Sequence, residues 1–147
     1  MPPKTANSLG KEVNLAARAM RAVLDSRLMH ANTNFATWSV LLVLDREGPV
    51  IQRELAGLLE VEGPTLVRRL DRLEAAGLVA RSGTPGDRRA TRIALTAQGK
   101  AMFKRVRSSV GETESELVAD LDPADVETTV KVLRHLIDKC RRITKGP

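Results

Sequence analysis

Residues Glu62 to Gly77 read EGPTLVRRLDRLEAAG, a pattern that predicts one amphipathic helix with two dissimilar faces. Apolar residues at helical spacing should face a core, while polar and basic residues fall on the opposite side. The apolar face consists of Leu66, Val67, Leu70 and Leu73, and the opposite face of Thr65, Arg68, Arg69 and Arg72. Pro64 suits the first helical turn, where its missing N–H needs no partner, and Gly77 suits a helix end.

A short helix with arginines on one side has the shape and charge to enter the major groove of DNA. A basic helical face that is merely solvated is the more frequent case, so the helix alone does not settle its role. The composition and the neighbouring elements have to decide.

The composition favours one helical domain with a polyanionic partner. A chain of 147 residues is long enough for a core of its own. Aromatic residues make up 2% and tyrosine is absent, which favours helices over strands. The net charge of +6 favours nucleic acid or an anionic membrane surface.

Other classes of protein find little support in the sequence. Apolar runs are too short to span a bilayer and the N-terminus lacks an apolar signal core, so we predict a cytoplasmic protein without a membrane partner. The single cysteine, Cys140, excludes an intramolecular disulfide and a metal site of several cysteines. His30 and His135 are isolated from other ligand residues, so we predict no metal and no cofactor.

Helical periodicity continues upstream of the opening stretch. A short disordered tail over residues 1–7 should be followed by helices over residues 8–30, 35–47 and 52–59, with a short strand at residues 49–51. The turn at residues 60–62, with Val61 as its apolar plug, joins the third helix to the arginine-bearing one. Two short helices with a tight connection form a helix-turn-helix.

Downstream of Gly77 the pattern becomes alternating, which predicts two strands at residues 78–81 and 91–95. The segment between them is rich in glycine and proline and predicts a long turn with Arg88 and Arg89 at its tip. A helix-turn-helix followed by a basic hairpin is a winged helix, a more specific signal than either part. Its two basic surfaces indicate a major-groove reader and a second element over phosphate or minor groove.

Two further helices should follow the hairpin. Thr96 caps a long helix that reaches about Ala119, and Asp122 with Pro123 opens the last one. The last helix carries an apolar seam in steps of four and three, formed by Val126, Val130, Leu133, Ile137 and Cys140. Because this seam and the apolar stripe of the first helix need cover, we predict a helical dimerisation layer.

The predicted fold is mainly α with a small β-hairpin wing: a winged helix-turn-helix plus a helical dimerisation layer. We predict that residues 1–147 form a single domain. Within it, residues 34–95 make up the DNA-binding lobe, and residues 8–30 and 96–143 supply the dimerisation helices.

The motifs resemble those of the MarR family of transcriptional regulators over almost the whole chain. The wing signature of that family is matched by Asp87, Arg89, Leu95 and Thr96, and the end of its recognition helix by LEAAGLV at residues 73–79. Residues 21–28, 64–68 and 87–90 are similar to the SlyA branch in particular. Glu62 departs from the family pattern, which often has Ser or Thr at the helix cap, and a poorer cap could loosen the first turn.

The resemblance implies a homodimer that binds a pseudo-palindromic operator on double-stranded DNA, usually as a repressor. It places Thr65 and Arg68 at base edges, beside Pro64 at the helix start. Arg89 would enter the minor groove, oriented by Asp87. Three further arginines, Arg69, Arg72 and Arg88, would contact phosphates. The alternative for Arg72 is that Asp71 or Glu74 holds it at the surface, and Arg81 is expected only to brace the base of its strand.

The resemblance also implies a small phenolic or aromatic carboxylate effector that releases DNA. Trp38 would form the wall of the effector cleft beside the polar Asn34 and Thr37, and Arg21 would pair with a carboxylate. The alternative is a core tryptophan and a surface arginine. Some relatives sense oxidants through cysteine, but Cys140 lies on an apolar seam and is expected to be a buried structural thiol.

The sequence gives little support for an enzyme and leaves one alternative among binding modules. We predict that the protein is not an enzyme, because the sequence lacks a glycine-rich phosphate loop, paired loop carboxylates and a nucleophile motif. The alternative to an effector-controlled regulator is a constitutive winged-helix module that binds DNA or protein and has no small-molecule effector.

Overall fold

The computed structural model describes residues 4–146, and the first three residues of the tail predicted at residues 1–7 lie outside this range. The elements are α1 (Lys4–His30), α2 (Phe35–Glu47), β1 (Val50–Ile51), α3 (Gln52–Leu59), α4 (Gly63–Ala75), β2 (Val79–Thr84), β3 (Asp87–Leu95), α5 (Ala97–Val118) and α6 (Pro123–Lys145). The mainly helical winged fold is therefore confirmed. Residues 4–7, predicted to belong to the disordered tail, are helical, since α1 begins at Lys4. Each helix in residues 4–146 is too short or too polar to span a bilayer.

The chain divides into two compact units, with the boundary after Thr113 inside α5. The first unit contains α1 to β3 and most of α5, and the second contains the end of α5 and α6. The end of α1 packs into the core of the first unit, where Leu28 is fully buried. Assignment of α1 and of the last two helices to dimerisation stays a prediction.

The helix-turn-helix follows the predicted boundaries because its ends are set by local chemistry. The side chain of Asn34 accepts the Thr37 N–H at 2.9 Å and caps α2. Glu62 forms no side-chain cap at the start of α4. In the turn, Glu60 adopts a left-handed conformation and the Val61 N–H bonds to the Ala56 carbonyl at 3.1 Å. Val61 packs against the core, as predicted for the plug.

The sheet has the order β1-β3-β2 and is antiparallel throughout. The wing differs from the prediction of a long turn at residues 82–90. Strand pairing continues through Ser82 opposite Arg92 and Gly83 opposite Thr91, so that only Pro85 and Gly86 separate the strands. Backbone pairing across the hairpin satisfies groups that a loop of polar residues would leave to water.

The core of the first unit is formed by apolar residues of α2, α3, α4, the sheet and α5. On α4, Leu66 and Leu70 are fully buried, but Val67 is 39% exposed and does not face the core as predicted. On α2, Leu42 is 40% exposed, so this helix is not buried all round. Both residues lie at the rim of their helix's apolar face, where packing and not hydrophobicity decides burial.

Arg81 of β2 ties the wing to α4. Its guanidinium donates to Asp71 Oδ1 at 2.7 Å, to Glu74 Oε2 at 3.0 Å and to the Val67 carbonyl at 3.3 Å. The side chain is 22% exposed. Arg81 therefore braces two elements and not only the base of its own strand.

The start of α5 lies against the base of the wing. Thr96 caps this helix by accepting the Gly99 N–H at 3.0 Å and also donates to the Gly77 carbonyl. A Cβ atom on Gly99 would overlap the Leu78 carbonyl and lie 3.3 Å from Cδ2 of Leu95. Only glycine permits this approach of helix and strand.

In the second unit, Asp122 caps α6 by accepting the Ala124 N–H at 2.8 Å. The α6 seam is uncovered in the single chain, since Val130 and Ile137 are 40% and 48% exposed. Cys140 is also exposed in the single chain, so its predicted burial depends on a second copy and stays a prediction. The seam prediction assumed cover that the single chain does not contain.

We predict that Gly99→Ala lowers the free energy of unfolding by about 1–3 kcal/mol, because backbone must shift to admit the methyl group. The matched control is Gly111→Ala on the same helix, where a Cβ meets nothing within 4 Å. That change should stabilise the protein by up to about 1 kcal/mol through helix propensity. Urea unfolding of both variants measures the difference, and equal effects would contradict the close approach.

We predict that Arg81→Gln lowers the free energy of unfolding by about 1 kcal/mol at low salt, since both carboxylates are partly solvated. The loss should shrink in about 1 M salt, which screens the ion pairs. Arg92→Gln serves as control, because Arg92 is exposed on β3 without an ion pair among residues 4–146. Urea unfolding at two salt concentrations tests this, and a loss independent of salt would argue against an electrostatic brace.

Candidate nucleic-acid interface

The exposed face of α4 presents free arginines. Arg68 and Arg72 are exposed, and neither forms an ion pair within the described part of the chain. Thr65 lies half-buried one turn from Arg68, and Pro64 is exposed in the first turn. Leu66 and Leu70 are buried on the opposite side of the helix. Their packing fixes the rotation of α4 about its axis and therefore the direction of these exposed side chains.

Arg72 is free because another arginine occupies its expected partners. Asp71 and Glu74 both bind Arg81, so neither holds Arg72 at the surface as the alternative interpretation required. The single guanidinium of Arg81 offsets one of these two carboxylate charges, and the three arginines of α4 outnumber the negative charge that remains. The helix face keeps a positive charge that favours phosphates.

Arg69 departs from the predicted basic face. It is half-buried and lines a cleft formed with α1, α2 and the turn between α3 and α4. Its position one residue further round the helix than Arg68 turns it towards this cleft. Its assignment as a phosphate contact therefore has less structural support than that of Arg72.

The wing tip presents Arg88 and Arg89, both exposed. Asp87 Oδ1 accepts the backbone N–H of Arg89 at 2.9 Å. Asp87 therefore orients the Arg89 backbone at the tip, and its role in directing the Arg89 side chain into the minor groove stays a prediction. Gly86, with φ of 83°, supplies the left-handed turn residue beside it.

A groove of about 540 Å³ lies between α3, α4 and the wing. Its walls bring together Gly63 and Val67 of α4 with Asp87 and Arg89 of β3. Gln52 and Arg53, at the start of α3, also line it and were not singled out from the sequence. Their position in the sequence could have identified them, because the first helix of a helix-turn-helix crosses the DNA backbone and both residues lie in its first turn.

The residues predicted to bind an effector are only partly brought together. Arg21 and Asn34 line the second cleft, of about 560 Å³, but Trp38 and Thr37 do not. Trp38 is 6% exposed and stacks on Phe103, with ring centroids 5.2 Å apart. The tryptophan is thus a core residue and cannot serve as the predicted cleft wall.

Phe35 takes the place in the cleft that was expected of Trp38. The Arg21 guanidinium lies 4.0 Å above the centroid of its ring. Asp25 Oδ1 accepts the Phe35 N–H at 3.0 Å, which fixes the start of α2 against α1. An aromatic ring and an arginine therefore do meet in this cleft.

Comparison with known proteins agrees with this architecture. The sequence profile of the MarR family matches residues 31–90. The transcriptional regulator PA3341 is 35% identical, with 90% of this chain and 97% of that chain covered and a TM-score of 0.80. A mutant MarR from E. coli complexed with operator DNA is 27% identical over 88% and 93% of the two chains, with a TM-score of 0.81.

A more distant structure shares the fold. BpsR of Bordetella bronchiseptica, whose DNA binding is regulated by 6-hydroxynicotinic acid, is 22% identical over 88% of this chain and 98% of that chain, with a TM-score of 0.80. The profile match spans the helix-turn-helix and the wing tip, where the free arginines lie. The chain belongs to the MarR family of transcriptional regulators.

Proposed function

We propose that the protein is a non-enzymatic, sequence-specific regulator that binds a pseudo-palindromic operator on double-stranded DNA in the cytoplasm, acting as a repressor. The observation that carries this function is the set of free arginines on a rigidly packed α4 and on the adjoining wing tip. Two basic elements that share one groove match a helix in the major groove and a wing beside it. The operator complex of the E. coli relative supports the same mode.

The residues divide into two kinds of contact. Thr65 and Arg68 lie where a recognition helix meets base edges, and Arg89 projects from the wing tip towards the minor groove. Arg72 and Arg88 contact phosphates, which position the protein without reading sequence. Sequence motifs at residues 21–28, 64–68 and 87–90 support placement of the chain in the SlyA branch.

The regulator acts as a homodimer. The seam of α6 and the stripe of α1 expose apolar side chains, among them Leu9, Met20, Val130 and Ile137. An apolar seam that stays exposed along a helix is typical of a surface that a protein partner covers. A second copy covers the seam and sets two recognition helices about 34 Å apart, one turn of DNA.

An effector of the aromatic carboxylate or phenol class releases the operator. The support is the cleft where Arg21 lies over Phe35 beside Asn34. Arginine binds carboxylate in a fork geometry, and an aromatic ring accepts a flat ligand. Trp38 contributes packing behind α2 and not a ligand contact.

Base and phosphate contacts should separate experimentally. Arg68→Ala and Arg89→Ala should each weaken operator binding by about 1–3 kcal/mol and relax sequence preference. Arg72→Ala should mainly reduce the salt dependence of binding, by about one unit of slope. Fluorescence anisotropy with operator and random duplexes over a salt series measures both quantities, once genomic mapping has identified the operator.

The same titration contains its control. Arg105→Ala removes an exposed arginine of α5, outside the proposed interface, and should leave both slope and preference unchanged. Equal losses on operator and random duplex for Arg68→Ala, Arg89→Ala and Arg72→Ala would contradict the division into base and phosphate contacts.

The dimer should have twice the 16.0 kDa mass of the chain in size-exclusion chromatography with light scattering. Ile137→Glu should raise the dissociation constant by about ten-fold or more, because it buries a charge in the seam. Thr128→Glu, on the opposite side of α6, should leave the mass unchanged. A wild-type protein that stays monomeric at micromolar concentration would refute the homodimer and the palindromic operator with it.

A further inference from the structure

The cleft between α1, α2 and the turn from α3 to α4 has a charge arrangement that the proposed effector class does not account for. Its lining combines the apolar side chains of Phe35, Leu59 and Val61 with four charged residues. The charged residues are Arg21, Asp25, Glu60 and Arg69. A cleft that served only an organic anion would gain nothing from two carboxylates, because like charges disfavour its binding.

The four charges do not neutralise one another. Among residues 4–146, the ion pairs of the structure include none between these arginines and carboxylates. Arg21 is held over the Phe35 ring, which leaves the edge of its guanidinium free to donate. One oxygen of Asp25 is taken by the Phe35 N–H. Within residues 4–146, the side chains of Glu60 and Arg69 have no hydrogen bond and no ion pair.

The free groups are two guanidinium ions and at least one full carboxylate around an apolar wall. Two arginines and two carboxylates have no net charge, which does not favour a phosphate dianion or a simple cation. A ligand with one carboxylate and one ammonium group meets both kinds of charge. Its apolar part covers Phe35, Leu59 and Val61.

Arg69 connects this cleft to the DNA-binding helix. It lies on α4, one residue after Arg68, and its side chain enters the cleft from the recognition helix itself. A ligand carboxylate that binds Arg69 contacts the same helix that must fit the major groove. Whatever factor the ligand changes in DNA affinity, DNA must change in ligand affinity.

We infer that this cleft binds an amino-acid-like zwitterion with an apolar side chain, its carboxylate on Arg69 and Arg21 and its ammonium group on Glu60 and Asp25. The inference rests on the proposed effector function and narrows its ligand class. Phenylalanine, for example, is the carboxylate 3-phenylpropanoate with an ammonium group added to its α carbon.

Three matched probes test the inference by calorimetry on the full chain without DNA: phenylalanine, 3-phenylpropanoate and 2-phenylethylamine. They share the phenyl ring and differ only in the charged groups. Phenylalanine should bind about ten-fold or more tightly than either of the other two, because only it satisfies both charges. Equal affinities, or no binding of phenylalanine at about millimolar concentration, would overturn the inference.

Two variants assign the charges. Glu60→Gln should lower the affinity for phenylalanine towards that for 3-phenylpropanoate, and Arg69→Gln should lower it towards that for 2-phenylethylamine, since Asp25 and Arg21 each keep one partner for the ligand. Glu54→Gln on α3 and Arg105→Gln on α5 remove the same charges outside the cleft and should change nothing. Circular dichroism melts of all four variants confirm that they fold. Unchanged phenylalanine binding in Glu60→Gln or Arg69→Gln would overturn the assignment.

The two levels of proposal fail separately. Tight binding of 3-phenylpropanoate alone would keep an aromatic carboxylate effector and overturn the zwitterion. If the wild-type protein binds phenylalanine but shows no preference for operator over random duplex, the proposed regulator function is wrong and the zwitterion site still stands. A phenylalanine titration of the operator complex then measures the coupling that Arg69 predicts.

Discussion

The burial of one face of α4 is the constraint on which the DNA-binding surface depends. Leu66 and Leu70 are fully buried in the core, and Leu73 nearly so. A helix of 13 residues has little stability alone, so this packing holds it in place and sets its rotation. The direction of Arg68 is a consequence of where the leucines lie, because a helix that buries one face can present only the other.

The same residue type has opposite roles on this surface, and its neighbours decide which. Arg81 is bound by two carboxylates of α4 and acts as a brace, whereas Arg72 is exposed and has no ion pair among residues 4–146. The brace has an electrostatic effect beyond stability. By binding both Asp71 and Glu74 it offsets one of their two negative charges, which weakens their repulsion of phosphates at the recognition helix.

The two clefts place different demands on the molecule. The groove beside the wing carries Arg53 and Arg89 among mostly uncharged residues. The cleft beside α1 mixes both signs of charge with apolar walls, a lining typical of a small-molecule site. Trp38 belongs to neither cleft, since its stacking on Phe103 keeps the ring inside the core. Phe35, and not Trp38, is the aromatic residue of this cleft. The proposed effector contact therefore lies at the first residue of α2 and not in the interior of the helix.

Much of the fold was accessible from the sequence because its signals are local. Helical periodicity and capping chemistry predicted α2 and α3 at their observed boundaries, and the two apolar strands predicted the presence of the wing. The exposed arginines of the candidate site were also named as candidate DNA contacts from the sequence. Such features depend on neighbours within a few positions of the chain, where spacing alone determines which side chains share a face.

The order of elements, the amphipathic character of α4 and the family pattern of the wing therefore follow from the amino-acid sequence alone. Folding was needed to show that Arg81 takes the carboxylates of α4, that Arg69 enters a cleft and that Trp38 is shielded by Phe103. It also decided that Cys140 is exposed in the single chain. Each of these outcomes depends on the partner that a side chain meets across the fold, and residue spacing along one element carries no information about that partner.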